Sequence, residues 1–271
     1  MPAFAQNAAT PAQVNDAQPA ANLRDVRAAA ERGEAAAQSD LGGMYEKGIG
    51  IEKDEAQAVL WYRKAAEQGY AAAQSSLGMM YEDGRGVAQD RAQAIALYRK
   101  AAEQGHADGQ NNLGLMYEYG QGVTRDYAQA LALFRKAADQ GSVQAQGNLG
   151  NMYAFGRGVA KDYVQAAGWY RKAADQGEAH AQFNLGVMYE EGRGVAHDYA
   201  QAAVWYRKAA EQGIAFAQFN LGLLYANGRG VVQDDAEAVS WYRKAAALGD
   251  TDAQDALRTM QARGRGNSKR P

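Results

Sequence analysis

Cysteine is absent from this chain, which excludes disulfide staples and thiolate metal ligands. Histidine occurs three times, at His106, His180 and His197. None stands in the His-Glu-x-x-His spacing of a zinc helix or beside other ligands, so all three are read as surface residues. Proline is scarce, and three of the four (Pro2, Pro11, Pro19) precede the first periodic stretch. No apolar run approaches the roughly 18–20 residues that cross a bilayer, so no transmembrane segment is expected. A net charge of -2 gives no pull toward nucleic acid. No Gly-x-Ser-x-Gly elbow occurs, and the Gly-x-Gly steps lack the Gly-Lys-Ser/Thr of a phosphate loop. No catalytic residue, cofactor site or metal site is expected, and the chain is not read as an enzyme.

What the chain does have is a period. Gly33, Gly69, Gly105, Gly141, Gly177, Gly213 and Gly249 recur every 36 residues, and Asp54, Asp90, Asp126, Asp162, Asp198 and Asp234 keep the same spacing. A repeat of this length means an array in which each unit stacks only on its neighbours.

Taken in order, residues 1–20 are rich in Ala, Gln and Pro and are read as a mobile leader. Within it, Ala3-Phe4-Ala5 fits the small-x-small pattern of a signal-peptidase site without the positive and apolar regions that precede one, so a periplasmic or secreted location is expected, with a cytoplasmic one as the alternative. Residues 21–33 hold a half-unit that caps the stack. Six full units follow, at 34–69, 70–105, 106–141, 142–177, 178–213 and 214–249. Residues 250–263 form a first helix without a second, in which Arg258 and Gln261 replace the Gly and Tyr of the other units, as a polar end cap requires. The tail, 264–271, is basic and read as disordered.

Each unit predicts two antiparallel helices. In the first, Ala73, Leu77 and Tyr81 form a stripe of helical period. Gly84 ends that helix, Gly86 permits a tight step and Val87 plugs the core. Asp90 caps the second helix, whose apolar residues Ala94, Leu97, Tyr98, Ala101 and Ala102 again follow helical spacing. Four copies carry Trp in place of Leu97 (Trp61, Trp169, Trp205, Trp241). A glycine inside every first helix (Gly42, Gly78, Gly114, Gly150, Gly186, Gly222) costs about 1 kcal/mol relative to Ala, which close helix approach offsets. Gln38, Gln74, Gln110, Gln146, Gln182, Gln218 and Gln254 face the core and are expected to bond neighbouring backbone. The Arg-Lys doublets, such as Arg171-Lys172, are read as a solvated face neutralised by acids three and four residues on (Asp175).

The run Ala-x-Ala-Gln-x-x-Leu-Gly-x-Met-Tyr, then Gly-x-Gly-Val-x-x-Asp, then Ala-x-x-Trp-Tyr-Arg-Lys-Ala-Ala-x-Gln-Gly resembles the Sel1-like repeat, a relative of the tetratricopeptide repeat. The resemblance covers roughly residues 22–262. It implies an all-α, right-handed α/α superhelical solenoid of six repeats with half-repeat caps. It further implies a non-catalytic scaffold for protein–protein contacts in bacterial signalling or cell-envelope processes. A cysteine-rich branch of the family is associated with penicillin binding, so a cell-envelope hydrolase or peptidoglycan-related role is the alternative; the absence of cysteine removes the basis for transferring that branch's chemistry. Pure architecture, as a spacer or self-assembling rod, is a third reading.

In tetratricopeptide-like stacks the first helix lines the concave groove, so a peptide or helical segment of a partner is expected there. The side chains expected to face it are Glu46, Met79, Glu82, Leu115, Tyr119, Phe155, Phe183, Val187, Glu190, Phe216, Phe219 and Leu223. They give an acidic N-terminal half and an aromatic C-terminal half, suited to a segment with apolar anchors and a basic end.

Overall fold

The computed structural model describes residues 18–262 and Gly264. The Ala3-Phe4-Ala5 match, most of the leader and the basic tail beyond Gly264 lie outside the described residues. Among the described residues there are fourteen α-helices and no strand, the all-α repeat architecture expected. They fall into two compact units that divide after Gly109. The first holds α1 (Gln18–Glu31), α2 (Ala35–Lys47), α3 (Glu55–Glu67), α4 (Ala71–Asp83), α5 (Arg91–Glu103) and the opening of α6 (Ala107–Tyr119). The second holds the rest of α6, then α7 (Tyr127–Asp139), α8 (Val143–Phe155), α9 (Tyr163–Asp175), α10 (Ala179–Glu191) and α11 (Tyr199–Glu211). It closes with α12 (Ala215–Asn227), α13 (Asp235–Ala247) and α14 (Thr251–Ala262). Helix α1 starts at Gln18, inside the segment read as leader.

Successive helices pack on one another from α1 to α5 in the first unit and from α7 to α14 in the second, and the repeated letters explain how. Asp54, Asp90, Asp162 and Asp198 have extended backbone and accept a hydrogen bond from a backbone N–H two or three residues on, capping the second helix. The same aspartates donate their own N–H to the carbonyl of the first helix's tyrosine, as Asp162 does to Tyr153 at 3.0 Å. One residue thus starts the second helix and ties it to the first.

The interior glycines let the helices touch. A Cβ on Gly78 would lie 2.6 Å from Cε1 of Tyr98, and one on Gly186 2.6 Å from Cδ1 of Tyr206. Both tyrosines are completely buried. Beside them the glutamines act as expected: Gln182 Nε2 donates to Ala174 O at 3.1 Å, and its Oε1 accepts from Gln212 Nε2 at 2.8 Å. Gln254 differs; in the end cap it is exposed.

One local expectation is extended and another corrected. The stripe of α4 runs through Ala73, Gln74, Leu77, Gly78 and the fully buried Met80, and Tyr81 packs half-buried against the same core. A phenol must keep a polar partner, and it finds one in the preceding repeat: Arg63 Nη2 donates to Tyr81 Oη at 2.9 Å. Arg135–Tyr153, Arg171–Tyr189 and Arg207–Tyr225 are the same bond. The doublets are therefore more than a face neutralised by nearby acids. The arginines of these four join neighbouring repeats, and Lys64, Lys172, Lys208 and Lys244 lie over tryptophan, with Lys172 Nζ 3.8 Å from the Trp169 ring centroid and Lys244 Nζ 3.7 Å from that of Trp241.

Candidate functional site

The face of interest is the side of the first helices that carries the twelve side chains named above. In the first unit it carries Glu46, Met79 and Glu82, all half-buried. The two glutamates are already engaged. Tyr62 Oη donates to Glu46 at 2.7 Å and Tyr98 Oη donates to Glu82 at 2.7 Å. Glu46 also accepts from Arg85 Nη1 at 2.7 Å. Burial pushes the Glu46 carboxyl up, but the bonds from Tyr62 and Arg85 outweigh it and hold the group below the usual carboxylate range. A helical wheel assigns these carboxylates to solvent, but it does not show the tyrosine sixteen residues on that reaches them. A cavity of about 400 Å³ on this face is lined by Ser39, Asp40, Lys47, Tyr62 and Ser76 among others.

The second unit carries the other nine. Tyr119, Phe155 and Phe216 are more than 60% exposed. Glu190 accepts from Tyr206 Oη at 2.5 Å and so belongs with the bound glutamates. Phe183 and Val187 are half-buried against the core that includes Tyr206, Leu221 and Trp241, and Phe219 and Leu223 against the one around Tyr242. The rings of Phe183 and Phe219 lie 5.9 and 5.7 Å from Tyr206 and Tyr242. These four are part of the packing between neighbouring repeats as well as of the face.

Two cavities bring some of these residues together. One, of about 300 Å³, is lined by Ala154, Phe155, Val187 and Met188, with Lys161 and Arg193 also bordering it. The other, of about 470 Å³, takes in Leu115 and is otherwise rich in amides: Asn111, Asn112, Asn148, Asn151 and Asn184. Both include Tyr170 and Asn184. Tyr119, Phe183, Glu190, Phe216, Phe219 and Leu223 line neither cavity.

The asparagines escaped the sequence reading, yet a signal exists. Asn112, Asn148, Asn184 and Asn220 hold one helical position through four successive repeats, although asparagine is a poor helix former and serves no core there. His180, read as a surface residue, is exposed and borders the amide cavity. His106 Nδ1 accepts from Gly109 N at 3.2 Å, and His197 packs edge-on against Tyr199. Among the described residues no group of His, Asp or Glu could hold a metal ion, and no helix is long and apolar enough to cross a membrane.

The repeat pattern matches known proteins. The family model for the Sel1 repeat matches six times, at residues 35–70, 71–106, 107–142, 143–178, 179–214 and 215–250. Among solved structures, the chain is similar to c5321, a protective antigen present in uropathogenic Escherichia coli strains displaying an SLR fold. Identity is 43% with a TM-score of 0.82, over 92% of this chain and 54% of that one, so this chain spans about half that protein's length. A Sel1 repeat protein from Oxalobacter formigenes is 32% identical, with a TM-score of 0.72 over 86% of this chain and 97% of its own. Immunity protein Pa5087 from Pseudomonas aeruginosa shares the fold at 24% identity and a TM-score of 0.51, over 84% of this chain and 83% of its own. No curated protein matches the chain. Six consecutive matches, carried by the caps, glycines and glutamines described above, make this chain a member of the Sel1-repeat family.

Proposed function

We propose that this chain is a non-catalytic scaffold that holds a segment of a partner protein against the first-helix face of its second unit. Sel1-repeat proteins generally serve protein–protein contact, which supports the general part of this reading. The observation that carries the specific part is the pair of cavities that share Tyr170 and Asn184, one apolar and one lined with amides. Apolar anchors beside a few polar groups are what a bound peptide needs. The exposed ring of Phe155 at the apolar cavity adds contact area at small entropic cost. The reading extends to a bacterial signalling or cell-envelope setting, which the bacterial sources of the two Sel1-repeat relatives support.

The test is site-specific photo-crosslinking in cells of the native host. A benzophenone amino acid replaces Phe155 in one variant and the exposed Val164, on a second helix, in another. A discrete protein adduct from position 155 and none from 164 is the expected result. Equal labelling at both positions, or none at 155, overturns the reading.

A further inference from the structure

The first helix of the fourth repeat, α8, carries its own combination of residues at three positions on one face, of which only the alanine recurs, as Ala226 in the sixth repeat. Gly147 stands where other repeats have Ser75, Asn111, Phe183 and Phe219. Asn151 stands where they have Met79, Leu115, Val187 and Leu223, and Ala154 where four of them have Glu46, Glu82, Glu118 and Glu190. The spacing of four and then three residues puts all three on one side of the helix.

Packing does not require the glycine. A Cβ on Gly147 would meet nothing nearer than Glu178 Oε2 at 3.8 Å, and a helical glycine costs about 1 kcal/mol relative to alanine. Its effect is to leave the amide cavity open. Ala154 has a second effect. With no glutamate at that position, Tyr170 Oη donates instead to Asn151 Oδ1 at 2.6 Å. Burial raises the Tyr170 hydroxyl well above its ordinary value, so it stays protonated and donates. That bond engages the carbonyl end of Asn151 and leaves its Nδ2 to donate elsewhere.

The neighbouring amides are arranged in a relay. Asn148 Nδ2 donates to Asn111 Oδ1 at 2.9 Å, and Asn111 Nδ2 donates to Asn112 Oδ1 at 3.3 Å. The relay uses the donor end of Asn148 and leaves its Oδ1 as an acceptor. Asn184, which borders both cavities, brings a donating Nδ2 and an accepting Oδ1. Side-chain amides carry the same donor and acceptor as a peptide group, so together they match a main chain and not a charge.

We propose that this is a main-chain-reading site. Asn148, Asn151 and Asn184 hydrogen-bond the N–H and C=O groups of an extended partner segment, and one apolar side chain of that segment enters the cavity between Ala154, Val187 and Met188. This inference rests on the function proposed above and specifies how the partner is recognised. A helical ligand does not fit it, because a helix spends its main-chain groups internally. A saccharide is disfavoured because it needs a ring face to stack on. Tyr170 is only 3% exposed, Lys161 and Arg193 lie over the ring of Tyr163, and the guanidinium of Arg157 takes one side of the otherwise exposed ring of Phe155, 5.1 Å from its centroid. Main-chain bonds then supply affinity with little regard to sequence, and the apolar cavity supplies the one side-chain preference.

The test uses the full chain and a phage-displayed library of random twelve-residue peptides. Selected peptides are measured by fluorescence anisotropy against wild type, G147F, N151V and A154E. Each substitution introduces the residue that another repeat carries at that position, so the fold is kept, which circular dichroism checks. The expected result is a set of peptides sharing one apolar residue and little else. Their binding falls at least tenfold with G147F and with A154E, more modestly with N151V, and at least tenfold when main-chain nitrogens flanking that residue are methylated. If selected peptides bind G147F and A154E as tightly as wild type, or tolerate methylation throughout, the main-chain-reading site is wrong while peptide binding stands. If no peptide is selected, or chitohexaose binds in place of peptides and is lost in G147F, both readings fall.

Discussion

Gln218 Oε1 is buried without a hydrogen-bond donor, and Leu248 occupies the position from which a glutamine supplies that donor in the earlier repeats. Gln212 serves Gln182 at 2.8 Å and Gln176 serves Gln146 at 2.8 Å. In the sixth repeat the chain offers an aliphatic side chain, itself 57% exposed. An unsatisfied buried carbonyl costs about 1–3 kcal/mol. L248Q is therefore expected to stabilise the protein by about 1 kcal/mol, seen as a higher urea midpoint at unchanged slope. A midpoint at or below that of wild type would show that Gln218 is satisfied in another way.

One chemical change should act in opposite directions at two helical glycines. At Gly186 an added methyl group lands 2.6 Å from the buried ring of Tyr206. G186A is expected to destabilise by about 1–3 kcal/mol through overpacking. At Gly147 the space is open, and G147A is expected to gain up to about 1 kcal/mol from helix propensity. Paired denaturation curves decide the matter, and shifts of the same sign would contradict this account.

Acid should weaken the first unit through Glu46. Its folded pKa lies below the ordinary 4.5, so the contribution is present above that value and is lost as pH falls through the folded pKa. Protonation removes the charge that Tyr62 and Arg85 address. E46Q is expected to be less stable than wild type at pH 7, with the gap narrowing below about pH 4.5. Urea titrations of both proteins between pH 3 and 7 measure it, and a constant gap would rule the linkage out.

The capping aspartates give a fourth test. Asp162 Oδ1 accepts from Val164 N at 2.9 Å and Gln165 N at 3.0 Å. D162A is expected to cost about 1 kcal/mol, and D162N far less, because asparagine caps almost as well. Equal losses from the two would mean that charge, and not the bond to the helix N-terminus, is what matters.

Much of the fold is legible in the residues because its determinants are local. An aspartate before a periodic run, a glycine after one and an alanine-rich stripe each act within a turn or two of chain. The binding face is only partly legible, because its letters are decided by neighbours a repeat or half a repeat away. The helical wheel puts Glu46 and Glu190 outside, and Tyr62 and Tyr206, sixteen residues on, make them structural. It gives Phe183 and Phe219 the same standing as Phe155, although the first two pack on tyrosines and the third is exposed. The doublets misled for the same reason. Arg171 bonds Tyr189, eighteen residues later, and no helix-surface rule spans that interval.

The Arg171–Tyr189 and Arg207–Tyr225 bonds each join a second helix to the first helix that follows it. The fourth and fifth repeats, through Tyr153 with Arg171 and Tyr189 with Arg207, each carry one half of the bond before them and one half of the bond after them. A segment duplicated or deleted whole leaves matching halves on both sides of the seam. Within such a unit, the number of repeats is a quantity that recombination or an engineer can change without redesigning a single interface.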